Sequence, residues 1–402
     1  MTVHERLADL AALGATADGI DRPLFSAAEH AARTRFAAWA RDAGLTVEQD
    51  RVGNVFARLE GREPGPPVQC GSHLDTVRNG GAYDGAYGVV GGLTALERIA
   101  RSGERPRRTL EAVAWAGEEG SRFPLGCLGS SVYAGLTSYD DVAMLVADDG
   151  APFADVVRGP SGLLDGVPVR DGFPPPAAYL ELHIEQGPVL EARGVRLGVV
   201  TAIAGQRRLR VTIDGTAGHA GTIPMADRSD ALCAASELVL AIERAALGAG
   251  QSVATVGMLD VEPNQTNIVP GRVVFRVDIR SVHDARVIEI ERQLRETAAS
   301  GARERNVRIA IEQLEVRAAV PMDRALREIV RDACLPLDPR AIDIASGAGH
   351  DAMCVAHVAP AAMIFVPSIG GRSHVGDERT APADLELGVD ALAAALLAAA
   401  ER

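Results

Sequence analysis

The 402-residue chain has few cysteines, no surplus of basic charge and no long apolar run, and each shortage removes a class of function. The five cysteines, Cys70, Cys127, Cys233, Cys334 and Cys354, form an odd set with no CxxC spacing, so no zinc-finger pattern is present. They are expected to be buried free thiols in a reducing cytosol. Acidic side chains outnumber basic ones by 54 to 41, a formal net charge of −13. A nucleic-acid or anionic-membrane partner needs clustered positive charge, so neither is expected. One or two placed arginines still suffice for a small anion. The most apolar stretch, residues 391–400, falls far short of the roughly 20 residues of a membrane span. Met1-Thr2-Val3-His4-Glu5-Arg6 lacks the basic and apolar regions of a signal peptide, so a cytoplasmic location is expected.

What is present is ordinary globular material. An apolar fraction of 47% and a charged fraction of 24% permit a sizeable core, and the length is comfortable for two domains. Residues 27–43 carry a helix pattern, 46–59 two short strands around Gly53, 68–71 a short strand, 89–101 a helix, and 109–116 an apolar strand. Strand, helix, strand in that order implies a βαβ unit and a largely parallel sheet. Further strands are expected at 179–184 and 361–366, with a closing helix at 385–400. Between them, roughly 205–320 reads β-α-β-β-α-β, the pattern of a ferredoxin-like sandwich. The expected fold class is therefore α/β, with a discontinuous domain at 1–204 and 321–402 and a smaller inserted domain at 205–320. The Pro174-Pro175-Pro176 run reads as a rigid local turn, not a domain linker.

Five segments carry residues suited to chemistry. In Gly71-Ser72-His73-Leu74-Asp75-Thr76, His73 ends a strand, where open α/β sheets bind ligands. Asp75 is placed to hold the imidazole's other nitrogen, as carboxylates do behind metal-ligating histidines. Asp84, in Tyr83-Asp84-Gly85, reads either as a helix cap or as a carboxylate bridging two metals. Glu118 and Glu119 follow an apolar strand. They are a surface turn or, because side chains alternate along extended backbone, one metal ligand and one residue beside the attacking water. His183, in Leu182-His183-Ile184-Glu185-Gln186-Gly187, is either a core histidine or a ligand. His374, in Gly371-Arg372-Ser373-His374, is a loop histidine compatible with ligation. Imidazole plus carboxylate without thiolate suits Zn²⁺, Mn²⁺, Co²⁺ or Ni²⁺.

With His219-Ala220-Gly221-Thr222, Asn267-Ile268-Val269-Pro270-Gly271, Asp278-Ile279-Arg280 and Ser346-Gly347-Ala348-Gly349-His350-Asp351-Ala352, these motifs resemble, in colinear order along nearly the whole chain, the M20 metallo-amidases. The resemblance is to the hydantoinase/carbamoylase branch: N-carbamoyl-L-amino-acid hydrolases, β-ureidopropionases and allantoate amidohydrolases. It implies a mixed-sheet, zinc-peptidase-like catalytic domain and an inserted lid and dimerisation domain. It further implies two divalent metal ions, one held by His73, Asp84 and His183, the other by Asp84, Glu119 and His374. Glu118 would be the general base. His219 would stabilise the oxyanion in a neighbouring subunit's site, making a homodimer necessary. Asn267 and Arg280 would grip a substrate carboxylate, with Gln186, Arg207 and Gly349 as further contacts; whether Arg207 or its neighbour Arg208 faces the site is open.

The expected reaction is hydrolysis of the ureido C–N bond of an N-carbamoyl-L-amino acid or β-ureido acid to amino acid, CO₂ and ammonia. Allantoate or a related ureide or N-acyl amino acid is the alternative substrate, and a non-catalytic binding protein on the same fold the remote one. Departures from the family pattern fall at Val375-Gly376-Asp377-Glu378, Arg372, Arg78 and Tyr87. They leave the metal ligands intact and bear on the substrate.

Overall fold

The computed structural model describes residues 1–172 and 174–402. They form two compact units, Met1–Thr201 with Met322–Arg402, and Ala202–Pro321.

The larger unit is built on a mixed sheet. Its strands run in the order Thr46–Gln49, Val55–Leu59, Leu110–Trp115, Val68–His73, Ala178–Ile184, Ala361–Val366 and Gly198–Ile203, with Ile342–Ser346 pairing alongside Gly198–Ile203. Four central strands are mutually parallel, and the outer pairings are antiparallel. These four are buried at every position, which is why their apolar residues do not alternate with exposed ones; the polar side chains they carry, Gln69, Glu111 and Glu181 among them, are buried too. Each fully buried Leu or Val contributes about 1.5–3 kcal/mol, so the parallel core fixes the strand ends firmly. Val68–His73 extends two residues beyond the expected strand and makes His73 its last member. His73 and the segments after Trp115, Ile184 and Val366 therefore share the C-terminal edge of the sheet, where such folds place ligands.

The helix Ala86–Ser102 starts at this edge and packs along the face of the sheet. At Gly88 a Cβ would come within 2.5 Å of the Leu182 carbonyl oxygen and 2.6 Å of the Ser72 Cβ, so glycine sets how closely helix and sheet approach. Tyr87, one of the departures named above, is fully buried and donates its hydroxyl to the Leu385 carbonyl at 2.8 Å, tying this helix to Pro382–Ala400. The apolar C-terminal run is the inner part of that helix, and no helix among the described residues is long and apolar enough to cross a membrane.

The smaller unit is an antiparallel sheet of Gly205–Asp214, Ser252–Glu262, Arg272–Ser281 and Arg308–Arg317 in spatial order fourth, first, third, second, with helices Ala231–Ala249 and Asp284–Glu304 on one face. Leu209, Val211, Ile213, Val273, Phe275, Val277 and Ile279 alternate onto that face and form its core. A two-stranded pairing, Gly218–His219 with Ile268–Val269, is an addition the sequence pattern does not announce. Four cysteines are buried as expected. Cys233 is exposed, because it lies on the outer side of the first turn of Ala231–Ala249.

Candidate metal centre

Asp84 is the hub of the site. It is not a helix cap: Gly85 occupies that position, and no side chain caps the helix. Gly85 has φ of 63°, and a Cβ there would lie 2.3 Å from the His73 ring, so only glycine fits. The Asp84 carboxylate is thereby pushed against three imidazoles. Oδ1 lies 3.5 Å from His73 Nε2 and 3.2 Å from His183 Nε2, and Oδ2 lies 3.2 Å from His374 Nε2. Each oxygen thus serves a different cluster.

The tautomers are set from behind. His73 Nδ1 is 2.9 Å from the Asp75 carbonyl oxygen, and His183 Nδ1 is 2.9 Å from the Ile184 carbonyl oxygen. A carbonyl only accepts, so both Nδ1 atoms donate, which leaves each Nε2 to carry a lone pair for a metal or, without one, a second proton facing Asp84; the Gly85 amide also lies 3.2 Å from His183 Nε2. Lone pairs and carboxylate oxygens this close repel unless positive charge lies among them. His73, Asp84 and His183 form one group with ligand atoms within 4.8 Å of each other; Asp84, Glu119 and His374 form a second. The donor set and the convergence fit two divalent cations sharing Asp84.

The electrostatics agree. Burial, the largest influence, would lower the His73 and His183 pKa values, but the bond to Asp84 and the charges of the surrounding carboxylates, Glu118, Asp75 and Glu119 about His73 and Glu181 about His183, together outweigh it and both are raised. Half-exposed His374 is carried to about 9, chiefly by the bond to Asp84. Burial would raise Asp84, and the imidazoles hold it well below the usual carboxylate range instead. Burial pushes Glu118 up to about 7 and Glu119 to about 8, with Asp84 adding to both. A metal cation among these groups favours the carboxylates in their charged form and the histidines in their neutral one.

Three expectations need correction. The carbonyl oxygen of Asp75, not its carboxylate, holds the imidazole; the carboxylate lies 3.6 Å from Nδ1. Its oxygens accept the Glu118 and Glu119 amides at 3.1 and 3.2 Å, so Asp75 shapes the turn that carries both acids. That turn is bent, not extended, with Gly117 and Gly120 at positive φ, so strand alternation does not separate the two glutamates. What separates them is their surroundings. Glu119 Oε1 lies 3.6 Å from His374 Nε2, whereas Glu118 Oε1 accepts from the Cys127 thiol at 3.4 Å and its Oε2 lies 3.7 Å from His73.

The third correction concerns Arg207. It lies on the helix-covered face of its strand, and its guanidinium bonds Glu291 of Asp284–Glu304. Arg208 pairs across the strands with Asp278, on the opposite face, which Gln206 and Arg280 share. Asp278 binds Arg280 Nε at 2.9 Å and Nη2 at 3.2 Å. In the same unit the short pairing sets His219 opposite Ile268, and the Ala220 amide donates to the Asn267 carbonyl at 2.9 Å, so His219 and Asn267 are neighbours.

In the larger unit, Gln186 has φ of 60° and donates its amide to Asp84 Oδ2 at 2.7 Å. A Cβ on Gly349 would stand 3.9 Å from Glu118 Oε1, so this glycine borders the glutamate. Arg372 pairs with Asp377 at 2.9 Å, and Arg78 with Asp148 at 4.0 Å, both largely exposed. Sequence reasoning missed His350, whose ring meets His183 edge-on with centroids 4.5 Å apart and whose Nε2 is 2.8 Å from Ser346 Oγ. It also missed Glu378 as a buried partner of the Asp84 loop. The acid four residues beyond His374 was the available signal.

A model of the family described as Peptidase family M20/M25/M40 matches residues 70–398. The chain belongs to this family. Within it, the chain is 39% identical over 391 residues to an allantoate amidohydrolase of Bacillus subtilis, covering 95% of this chain and 93% of that one. It is 37% identical over 392 residues to an N-carbamoyl-L-amino-acid amidohydrolase of Paenarthrobacter aurescens, covering 96% and 95%. A crystal structure of a hydantoinase/carbamoylase family amidase from Burkholderia multivorans superposes with a TM-score of 0.94 at 39% identity, covering 100% of this chain and 97% of that one. The mixed α/β architecture of this M20 chain is thus that of the hydantoinase/carbamoylase amidases.

Proposed function

We propose that this M20-family chain is a cytoplasmic, homodimeric, metal-dependent amidohydrolase that cleaves the ureido C–N bond of N-carbamoyl-L-amino acids or β-ureido acids, releasing amino acid, CO₂ and ammonia. The observation that carries the reading is the sharing of Asp84 between two histidine–carboxylate groups, with Glu118 beside them. His73, Asp84 and His183 would hold one ion and Asp84, Glu119 and His374 the other, drawn from Zn²⁺, Mn²⁺, Co²⁺ or Ni²⁺. Such a pair supplies Lewis acidity toward the carbonyl and lowers the pKa of the attacking water.

The chain's own groups do the rest. Glu118, raised by burial, takes the proton from the attacking water and delivers it to the leaving nitrogen. Asp75 holds Glu118 and Glu119 in register through their amides. Gln186 fixes the Asp84 oxygen on the His374 side. Gly349 leaves space beside Glu118 for the scissile group. Arg280 and Asn267 bind the substrate carboxylate, the guanidinium in bidentate fashion, and Arg208 rather than Arg207 shares the Arg280 face.

His219 stabilises the oxyanion in the site of a second subunit. His219→Ala should therefore lower kcat by about 10²–10³-fold. Mixing it with an Asp84→Asn chain should restore part of the activity, measured as turnover of the mixed dimers. No recovery on mixing removes the role in the second subunit.

Allantoate is the second reading, supported by the 39% identity to the Bacillus subtilis enzyme of that name. Both are tested by one assay: N-carbamoyl amino acids, allantoate and N-acyl amino acids, each with Mn²⁺, Co²⁺, Ni²⁺ and Zn²⁺. A ureido compound is expected to turn over, to stop after chelation and to resume on returning the ion. Inactivity on every ureido compound overturns the substrate class.

A further inference from the structure

The Asp84 and His374 loops are joined by one buried side chain. Glu378 is 3% exposed, and its Oε1 accepts the amides of Tyr83 at 2.9 Å and Asp84 at 3.0 Å. Its Oε2 lies 2.6 Å from Ser373 Oγ, which is itself 2.9 Å from Asp84 Oδ2. Ser373 immediately precedes His374. One carboxylate therefore grips the backbone beneath the shared ligand on one side and the residue next to the outermost ligand on the other.

Two further details show that the chain is shaped around this contact. A Cβ on Gly81 would fall 2.2 Å from Glu378 Oε1, so the second glycine of Gly80-Gly81 makes room for the carboxylate. The Glu378 amide donates to the Val375 carbonyl at 3.1 Å, which closes the turn and carries Glu378 back under His374. Among the described residues no arginine bonds this carboxylate; backbone amides and a hydroxyl satisfy it. A buried carboxylate held this way orients backbone rather than balancing a surface charge.

We infer that Glu378 is a positioning residue of the metal centre, clasping the Asp84 loop to the His374 loop so that both carboxylate oxygens of Asp84 meet their histidines. The inference rests on the di-metal reading given above. A Ser hydroxyl has one proton, so Ser373 donates to Glu378 or to Asp84, not to both. Glutamine at 378 keeps an acceptor for both amides and can donate to Ser373 Oγ, freeing the hydroxyl proton for Asp84. Alanine removes the clasp.

The test is calorimetric titration of the metal-free chain with Mn²⁺ and, separately, Zn²⁺, alongside the melting temperature of each metal-free variant. The wild type is expected to bind two ions. E378A should bind them about 10–100-fold more weakly, the usual cost of losing a group that orients metal ligands. E378Q should stay within about threefold of wild type, since it keeps both amide bonds. S373A, at a partly exposed position, gives a folded check and should weaken binding severalfold. Wild-type affinity in E378A, or in S373A should E378A not fold, overturns the inference. So does equal weakening in E378Q and E378A. A lower melting temperature with unchanged affinity assigns Glu378 to fold stability alone and likewise overturns it. A wild-type chain that binds neither ion overturns the di-metal reading itself.

Discussion

Glu118→Gln should keep both ions and lower kcat by about 10²–10⁴-fold, the range lost with a general acid–base group. Glutamine has the same shape and can still accept from the Cys127 thiol on Glu118 Oε1, so the pocket should not rearrange. What it cannot do is carry a proton. Glu118 is suited to that task because burial raises it, opposing the pull that a nearby cation exerts toward the charged form. Glu119, one residue on, is directed toward His374 and should behave differently: its loss should empty a metal position. Metal content of the purified variant and kcat on a turned-over ureido substrate decide the matter. Activity within threefold of wild type with both ions present would show that another group moves the proton.

Asp84→Asn should be more damaging still. The amide offers one acceptor in place of two and carries no charge, while His73, His183 and His374 still converge on it. Removing one member of a buried charge pair costs about 3–5 kcal/mol, equivalent to about 10²-fold to 5 × 10³-fold in affinity. Because Asp84 is common to both groups, both ions should be weakened together. His374→Ala, by contrast, should weaken one. Calorimetric stoichiometry separates the cases, and turnover should fall by at least about 10³-fold for Asp84→Asn if both ions are required. Loss of a single ion in Asp84→Asn would show that the carboxylate serves one metal only.

The elements that position the site were legible because they are local and periodic. The parallel strands announce themselves as largely apolar segments, and His73, His183 and the two glutamates lie in or just beyond one, while Asp84 and His374 sit in loops. The inserted unit's β-α-β-β-α-β pattern likewise yields its sheet, because alternation at Leu209, Val211 and Ile213 marks a single buried face. What was not legible depends on where a particular oxygen points. The spacing of His73 and Asp75 is compatible with either the carboxylate or the carbonyl behind the imidazole, and only the turn chooses. Arg207 and Arg208 are adjacent, so a one-residue change of register exchanges their faces, and the pairing with Asp278 is needed to tell them apart. Glu378 meets Tyr83 and Asp84 from nearly 300 positions away, a contact that no periodicity encodes.

The strand Ala361–Val366 occupies an interior place in the large sheet, between Ala178–Ile184 and Gly198–Ile203. Synthesis runs from the N-terminus, so those neighbours emerge long before it. The four-stranded sheet of Ala202–Pro321 uses only its own residues and is complete once Arg317 has left the ribosome. The large sheet must wait with a gap in its middle, holding His73, Asp84, Glu119 and His183 but lacking its last strand and His374. Insertion of that strand is a long-range closure, the slow kind of folding step. The group of Asp84, Glu119 and His374 therefore cannot assemble until Ala361–Val366 and the loop that follows it have been made.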